Sequence, residues 1–232
     1  MKELDEPGAI RTYVISLNRS TERRTHMKKY VDEGFEFVDA VDGMSFPFDQ
    51  YQDELLRLFG SYRMQLAKTS VKEMKKIALD WTYYRIFTRV LRMFDDQKKE
   101  LNLQAVLFME DDVFPVPGYM KSLKKVLKTL PNDWDIFLLR STAPVRTGLC
   151  VPEDGYCVLR SAVGTQAFVL SRSGVQKVLG VLKWAYSALY IDLAMMGLMV
   201  ETMRINAYIA DPFLCEACVP QTGCFPSTIN MR

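Results

Sequence analysis

The chain has 232 residues and a net charge of +2, with 49% of its residues apolar and 25% charged. That is the balance of an ordinary globular domain and excludes a disordered tail, a collagenous rod and a coiled coil. A backbone-tracking nucleic-acid binder would gather a basic excess on one face, and 30 basic residues against 28 acidic ones leave none to gather. The longest apolar stretch, Ala188 to Val200, contains Asp192 and falls short of the roughly 20 residues of a membrane-spanning helix. The charged start, Met1-Lys-Glu-Leu-Asp-Glu-Pro, has no apolar signal region. The expectation is a cytoplasmic protein.

Residues 1–11 are read as a flexible N-terminal segment and 12–232 as a single domain. Thr12-Tyr-Val-Ile-Ser-Leu17 is rich in β-branched residues and predicts a strand. Ser20 or Thr21 can cap a helix running to about Tyr30. Phe35-Glu-Phe-Val38 predicts a second strand, leading into Ala40-Val-Asp-Gly43. A loop insertion is expected near 43–68. From Ser70 to Phe94 apolar residues recur at helical spacing. Ala105-Val-Leu-Phe-Met109 is a continuous apolar run, the pattern of a buried strand, and it ends in Glu110-Asp111-Asp112.

Pro117-Gly118 opens a further helix. Asp135-Ile-Phe-Leu-Leu139 predicts a strand, and Ser141 to Leu159 a long loop that could hold a hairpin. Gln166-Ala-Phe-Val-Leu170 predicts another strand, followed by a helix capped by Ser171 or Ser173. From Pro212 onward no periodicity is visible. Strands alternating with helices indicate an α/β sheet.

Five cysteines, an odd number, and no secretion signal make reduced thiols the default. Cys215-Glu-Ala-Cys218 has the spacing of half a zinc site. In an oxidising compartment a Cys215–Cys218 or Cys150–Cys157 disulfide could form. His26, the single histidine, sits among charged residues and is expected to be solvated.

The acid cluster at residues 110–112 carries the strongest chemical signal. Ligands of open α/β sheets sit at the carboxyl ends of strands. Adjacent acids there need a counter-charge, which a divalent cation bridging to a diphosphate supplies. Asn18, Arg19, Arg23 and Arg24 follow the first strand, and arginine forks suit phosphates. Asp42 follows the second strand, where an acid can hydrogen-bond a ribose and Gly43 lets the backbone approach. Asp192 interrupts an apolar stretch, as a helix cap or as a general base.

Taken together, these segments resemble glycosyltransferase family 25. The matching segments are Tyr13-Val-Ile-Ser-Leu-Asn-Arg with Glu22-Arg-Arg, Asp39-Ala-Val-Asp-Gly43, Leu107-Phe-Met-Glu-Asp-Asp-Val113, Asp133-Trp-Asp-Ile-Phe-Leu-Leu139, Gly164-Thr-Gln-Ala-Phe-Val-Leu-Ser171 and Ile191-Asp192. The tail from Ala210-Asp-Pro212 to Ser227-Thr-Ile229 also resembles the family's ending. The resemblance implies a GT-A-like single domain with a mixed, mostly parallel sheet flanked by helices. It also implies a UDP-sugar donor, Mn²⁺ or Mg²⁺, and inverting transfer of a hexose, galactose or glucose, to a hydroxyl on a glycan or glycoprotein. Asp112 is then the expected metal ligand. Leu17, Asn18, Arg19, Arg23, Arg24, Ala40, Asp42, Glu110 and Asp111 are the expected nucleotide-sugar contacts. Asp192 is the expected base, with Asp211 and Glu216 less favoured. The family's Ser-His pair in the middle helix is missing, since Ala78-Leu-Asp80-Trp81 stands in its place. The alternatives are a glycosyltransferase-fold scaffold with little or no turnover, and a nucleotide-sugar hydrolase or nucleotidyltransferase using the same acids and metal. Oligomerisation is left open.

Overall fold

The computed structural model describes residues 9–31, 34–96, 103–164, 166–185, 195 and 205–217. Strand β1 (Ala9–Leu17) begins inside the segment expected to be flexible, because Ala9 and Ile10 already pair with the third strand. Helix α1 (Thr21–Tyr30) follows, and then β2 (Phe35–Ala40). The expected insertion is instead helical: a 3₁₀ turn (Phe48–Tyr51) leads into α2 (Gln52–Thr69). Leu55, Phe59 and Met64 of α2 are buried, so packing supplies what local propensity did not advertise. Gly60, at φ +73°, kinks the helix.

Helix α3 (Val71–Asp95) starts at Ser70, whose hydroxyl accepts a hydrogen bond from the Glu73 amide. Then come β3 (Leu103–Glu110), β4 (Val113–Pro115), α4 (Tyr119–Thr129) and β5 (Ile136–Arg140). The segment read as a long loop is a hairpin, β6 (Val145–Val151) and β7 (Tyr156–Ser161). The chain continues with β8 (Ala167–Ser171), α5 (Arg172–Ala185), β9 (Ala207–Ala210) and β10 (Cys215–Ala217). Ser171 caps α5 by accepting from the Gly174 amide.

Eight strands form one sheet in the order β2-β1-β3-β8-β5-β9-β7-β6. β1 pairs in parallel with β2 and β3, and β5 in parallel with β9; the other neighbours are antiparallel. Following these senses across the sheet, only β8 and β7 run against the rest, so the sheet is mixed and mostly one-directional, as expected. Alternation sends Tyr13, Ile15, Phe108, Leu138 and Phe168 to one face, under α2, α3 and α5. Val14, Leu107, Phe137 and Val169 go to the other face, under α1 and α4.

Asp135 fastens the far half of the fold. Its fully buried carboxylate accepts from Ser173 Oγ (2.7 Å), Lys177 Nζ (2.5 Å) and the Asn206 amide (2.8 Å). Three donors satisfy a charge that would otherwise be costly to bury. Gly174 lies against the Asp135 carbonyl so closely that a Cβ there would sit 2.0 Å from its oxygen.

Cys150 and Cys157 are joined across the hairpin, with an S–S distance of 2.10 Å and Cα atoms 4.0 Å apart. Reduced thiols were the expectation; the hairpin register places the two residues opposite each other, which spacing alone does not reveal. Cys215 is fully buried, and burial pushes its thiol up to about 12. Cys218 and Cys224 lie outside the described residues. His26 is not simply solvated either: it packs between Tyr30 and Phe114, with ring centroids 4.6 and 4.5 Å away. Desolvation there lowers its pKa.

Candidate active site

The parallel strands β2, β1 and β3 end side by side, and their carboxyl ends frame an open cleft. Leu17, Arg19 and Arg23 line it from β1 and α1, Ala40, Asp42 and Gly43 from the loop after β2, and Glu110, Asp111 and Asp112 from the end of β3. Two lining residues that the sequence did not flag are Ser16 of β1 and Lys75 of α3.

The three acids at the end of β3 and in the turn after it have three separate surroundings. Glu110 points toward α3, where its carboxylate accepts a hydrogen bond from Tyr83 Oη at 2.8 Å. Asp111 turns toward α1. It accepts from Ser16 Oγ and from Arg23 Nη1, both at 2.6 Å, with acid and arginine each largely buried. Asp111 and Arg23, expected as nucleotide-sugar contacts, are therefore committed to each other and fix the end of β1 to α1 and β3. Asp112 Oδ1 is buried with no hydrogen-bond partner. Burial raises its pKa; Arg23 opposes the shift and the Asp111 charge reinforces it.

A buried carboxylate oxygen without a donor is the arrangement a cation would complete. Hard divalent cations take carboxylate oxygens, so the donor set fits Mn²⁺ or Mg²⁺ with Asp112 as the protein ligand.

Arg19 pairs with Asp42 across the cleft mouth, and this hydrogen bond is the chief cause of the lowered Asp42 pKa. The Met44 amide donates to the same carboxylate at 3.0 Å, closing the turn. Gly43 is required here by a helix, because a Cβ would lie 2.7 Å from the Lys75 Cα. The contact brings Lys75 to the cleft wall.

Arg24, also expected at the nucleotide, is occupied elsewhere. It donates to the carbonyls of Ser16 (2.9 Å) and Leu17 (3.2 Å) and pairs with Asp39. Neither Arg24 nor Asn18 lines the cleft. Asp192 lies outside the described residues. Asp211 is paired with Arg146 at 3.3 Å, and Glu216 lies in β10 against β4.

The model of glycosyltransferase family 25 (LPS biosynthesis protein) matches residues 9–83, which carry β1, β2 and the helical wall of this cleft. A "Glycosyltransferase 25 family member" of Anopheles gambiae is 28% identical over 174 residues, covering 72% of this chain and 28% of the relative. One of Aedes aegypti is 29% identical over 137 residues, covering 57% of the chain and 21% of the relative. Over these stretches the chain is similar to glycosyltransferase family 25.

The chain spans about a quarter of the length of the curated relatives it matches. Among solved structures it is similar to a glycosyltransferase involved in glycosylation of the major capsid of PBCV-1. That match has a TM-score of 0.46 and 11% identity, over 88% of this chain and 82% of the other. It is also similar to A197 from STIV, with a TM-score of 0.41 and 11% identity, over 86% and 80% of the two chains. Asp80 is 1% exposed within α3 and absent from the cleft lining. No helix among the described residues is long and apolar enough to cross a membrane.

Proposed function

We propose that this protein is a divalent-metal-dependent, inverting glycosyltransferase that moves a hexose from a UDP-sugar to a hydroxyl of a glycan or glycoprotein. The observation that carries this reading is the unpartnered, buried Asp112 Oδ1 at the floor of a cleft walled by Arg19, Asp42 and Lys75. Asp112 would hold Mn²⁺ or Mg²⁺, and the bound ion supplies positive charge against the donor's diphosphate. Arg19 and Lys75 add fixed positive charge along the same wall, where leaving-group charge develops. Asp42, kept ionised by Arg19, is suited to accept hydrogen bonds from ribose hydroxyls. Asp111 and Arg23 position Asp112 through the backbone and need not touch the donor. Asp192 is the proposed general base, taking the proton of the acceptor hydroxyl. The Cys150–Cys157 bond favours an oxidising compartment over the cytosol.

The test is UDP release from UDP-galactose and UDP-glucose with Mn²⁺, with and without candidate acceptors. Turnover that needs Mn²⁺ and falls roughly 10²–10⁴-fold in Asp192→Asn supports the reading. Mn²⁺-dependent UDP binding without turnover on any acceptor would favour the scaffold alternative. Absence of both would refute the nucleotide-sugar site.

A further inference from the structure

Beyond the cleft, the carboxyl edge of the sheet continues across β8 to β5. The Glu110 amide donates to the Gln166 carbonyl at 2.8 Å, and on the other side of β8 Arg140 stands opposite Ala167. Glu110, Gln166 and Arg140 therefore lie at one edge on three adjacent strands. With strands about 4.8 Å apart, Arg140 is roughly 10 Å beyond the acid cluster.

Besides Asp112 Oδ1, two polar groups on this edge lack hydrogen-bond partners among the described residues. Gln166 Oε1 and Arg140 Nε are both buried without a hydrogen bond. Arg140 forms no ion pair among the described residues; its guanidinium lies over the Phe213 ring, 5.6 Å from the centroid. Arg146 approaches the same ring at 5.9 Å, but Asp211 neutralises it. One uncompensated guanidinium thus remains at the sheet edge, oriented by an aromatic face. A half-buried arginine with no counter-ion is costly, and its fork matches a carboxylate or phosphate. The diphosphate of a nucleotide sugar belongs with Asp112, two strands away.

We infer that Arg140 forms an anion subsite for the acceptor: the hydroxyl that receives the sugar is borne by a molecule with a carboxylate or phosphate ester close by. The inference rests on the glycosyltransferase reading for the word acceptor, whereas the anion site itself does not.

The experiment titrates methyl β-D-glucuronide, methyl β-D-glucoside and glucose 6-phosphate into the parent, Arg140→Gln and Arg140→Lys by ligand-observed NMR, with UDP and Mn²⁺ present. Folding of each variant is checked by circular dichroism. The parent should prefer an anionic sugar over the neutral glucoside by about tenfold, the scale of one charge-assisted hydrogen bond. The two anionic sugars distinguish a carboxylate site from a phosphate site. Arg140→Gln should abolish the preference and Arg140→Lys should keep part of it, with UDP affinity unchanged in both. Equal binding of all three sugars by the parent, or a preference that survives Arg140→Gln, would overturn the inference. So would an effect of Arg140→Gln confined to UDP-glucuronate against UDP-glucose, which would put the anion on the donor. Failure of UDP to bind the parent with Mn²⁺ would sink the glycosyltransferase reading instead, and the sugar titrations without nucleotide would still decide the anion site.

Discussion

Replacing Asp112 by Asn should move stability in opposite directions with and without metal. In the metal-free protein Asp112 is half-buried, with its Oδ1 buried and unpartnered beside the Asp111 charge, so folding disfavours its ionised form and raises its pKa. A raised carboxylate pKa contributes stability below the unfolded value, near 3.8, and loses it as pH rises through the folded value. At neutral pH the ionised group is therefore a liability that the nearly isosteric amide removes. Metal-free Asp112→Asn should melt at or above the parent's temperature at pH 7, and the difference should shrink toward pH 4. Added Mn²⁺ reverses the order. At a hundredfold excess over Kd a ligand of the native state stabilises by about 2.7 kcal/mol. For a chain of this size that is a rise of about 5–11 °C in Tm, seen in the parent and absent from the variant. The assay is a thermal melt with and without MnCl₂ at pH 4, 5.5 and 7. A variant that keeps the parent's Mn²⁺ shift, or that melts well below the metal-free parent at pH 7, would refute the assignment of Asp112 as the ligand.

Three further outcomes follow from packing. Gly174→Ala would drive a Cβ to 2.0 Å from the Asp135 carbonyl oxygen, and urea denaturation should show a loss of about 1–3 kcal/mol. Arg23→Gln strands the Asp111 carboxylate between β1 and β3, so a destabilisation of about 3–5 kcal/mol is expected, with Asp111→Asn in the same background recovering part of it. Cys150→Ser/Cys157→Ser opens a seven-residue separation; chain entropy puts the cost near 2.5 kcal/mol, and dithiothreitol should lower the parent's Tm but not the double variant's.

Periodicity made the first half of the molecule legible. The β-branched run before Leu17, the helical spacing after Ser70 and the apolar run before Glu110 each correspond to an observed element. Helix α2 escaped inside the stretch read as a loop insertion near 43–68, although Leu55, Phe59 and Met64 carry its buried side. The acid triplet announced a site but not a division of labour. Which carboxylate meets Tyr83, which meets Arg23 and which is left open depends on the helices packed on each face, and no one-dimensional pattern records that. Arg140 did leave a signal. It ends the apolar run Ile136-Phe-Leu-Leu139 just as Glu110 ends its own, so a charged residue closing a buried strand marks the sheet edge in both cases.

The small β4–β10 ribbon has a consequence for the order in which the protein can be made. Cys215 pairs with Pro115, and Leu214 bridges Val116 and Leu139 through backbone hydrogen bonds. The strand that carries the chain away from Asp112 therefore waits, during synthesis, for partners about 100 residues downstream. Such distant closure is slow relative to local helix formation. β1, α1 and β2 are near neighbours in sequence and can assemble as they leave the ribosome, whereas β3 must first close onto β1 across the intervening helices α2 and α3. The acid turn is locked only after the last sheet strand, β9, has emerged. Until then the turn is braced from the amino-terminal side alone, by Tyr83 on Glu110 and by Ser16 and Arg23 on Asp111, and the ribbon that follows Asp112 closes last.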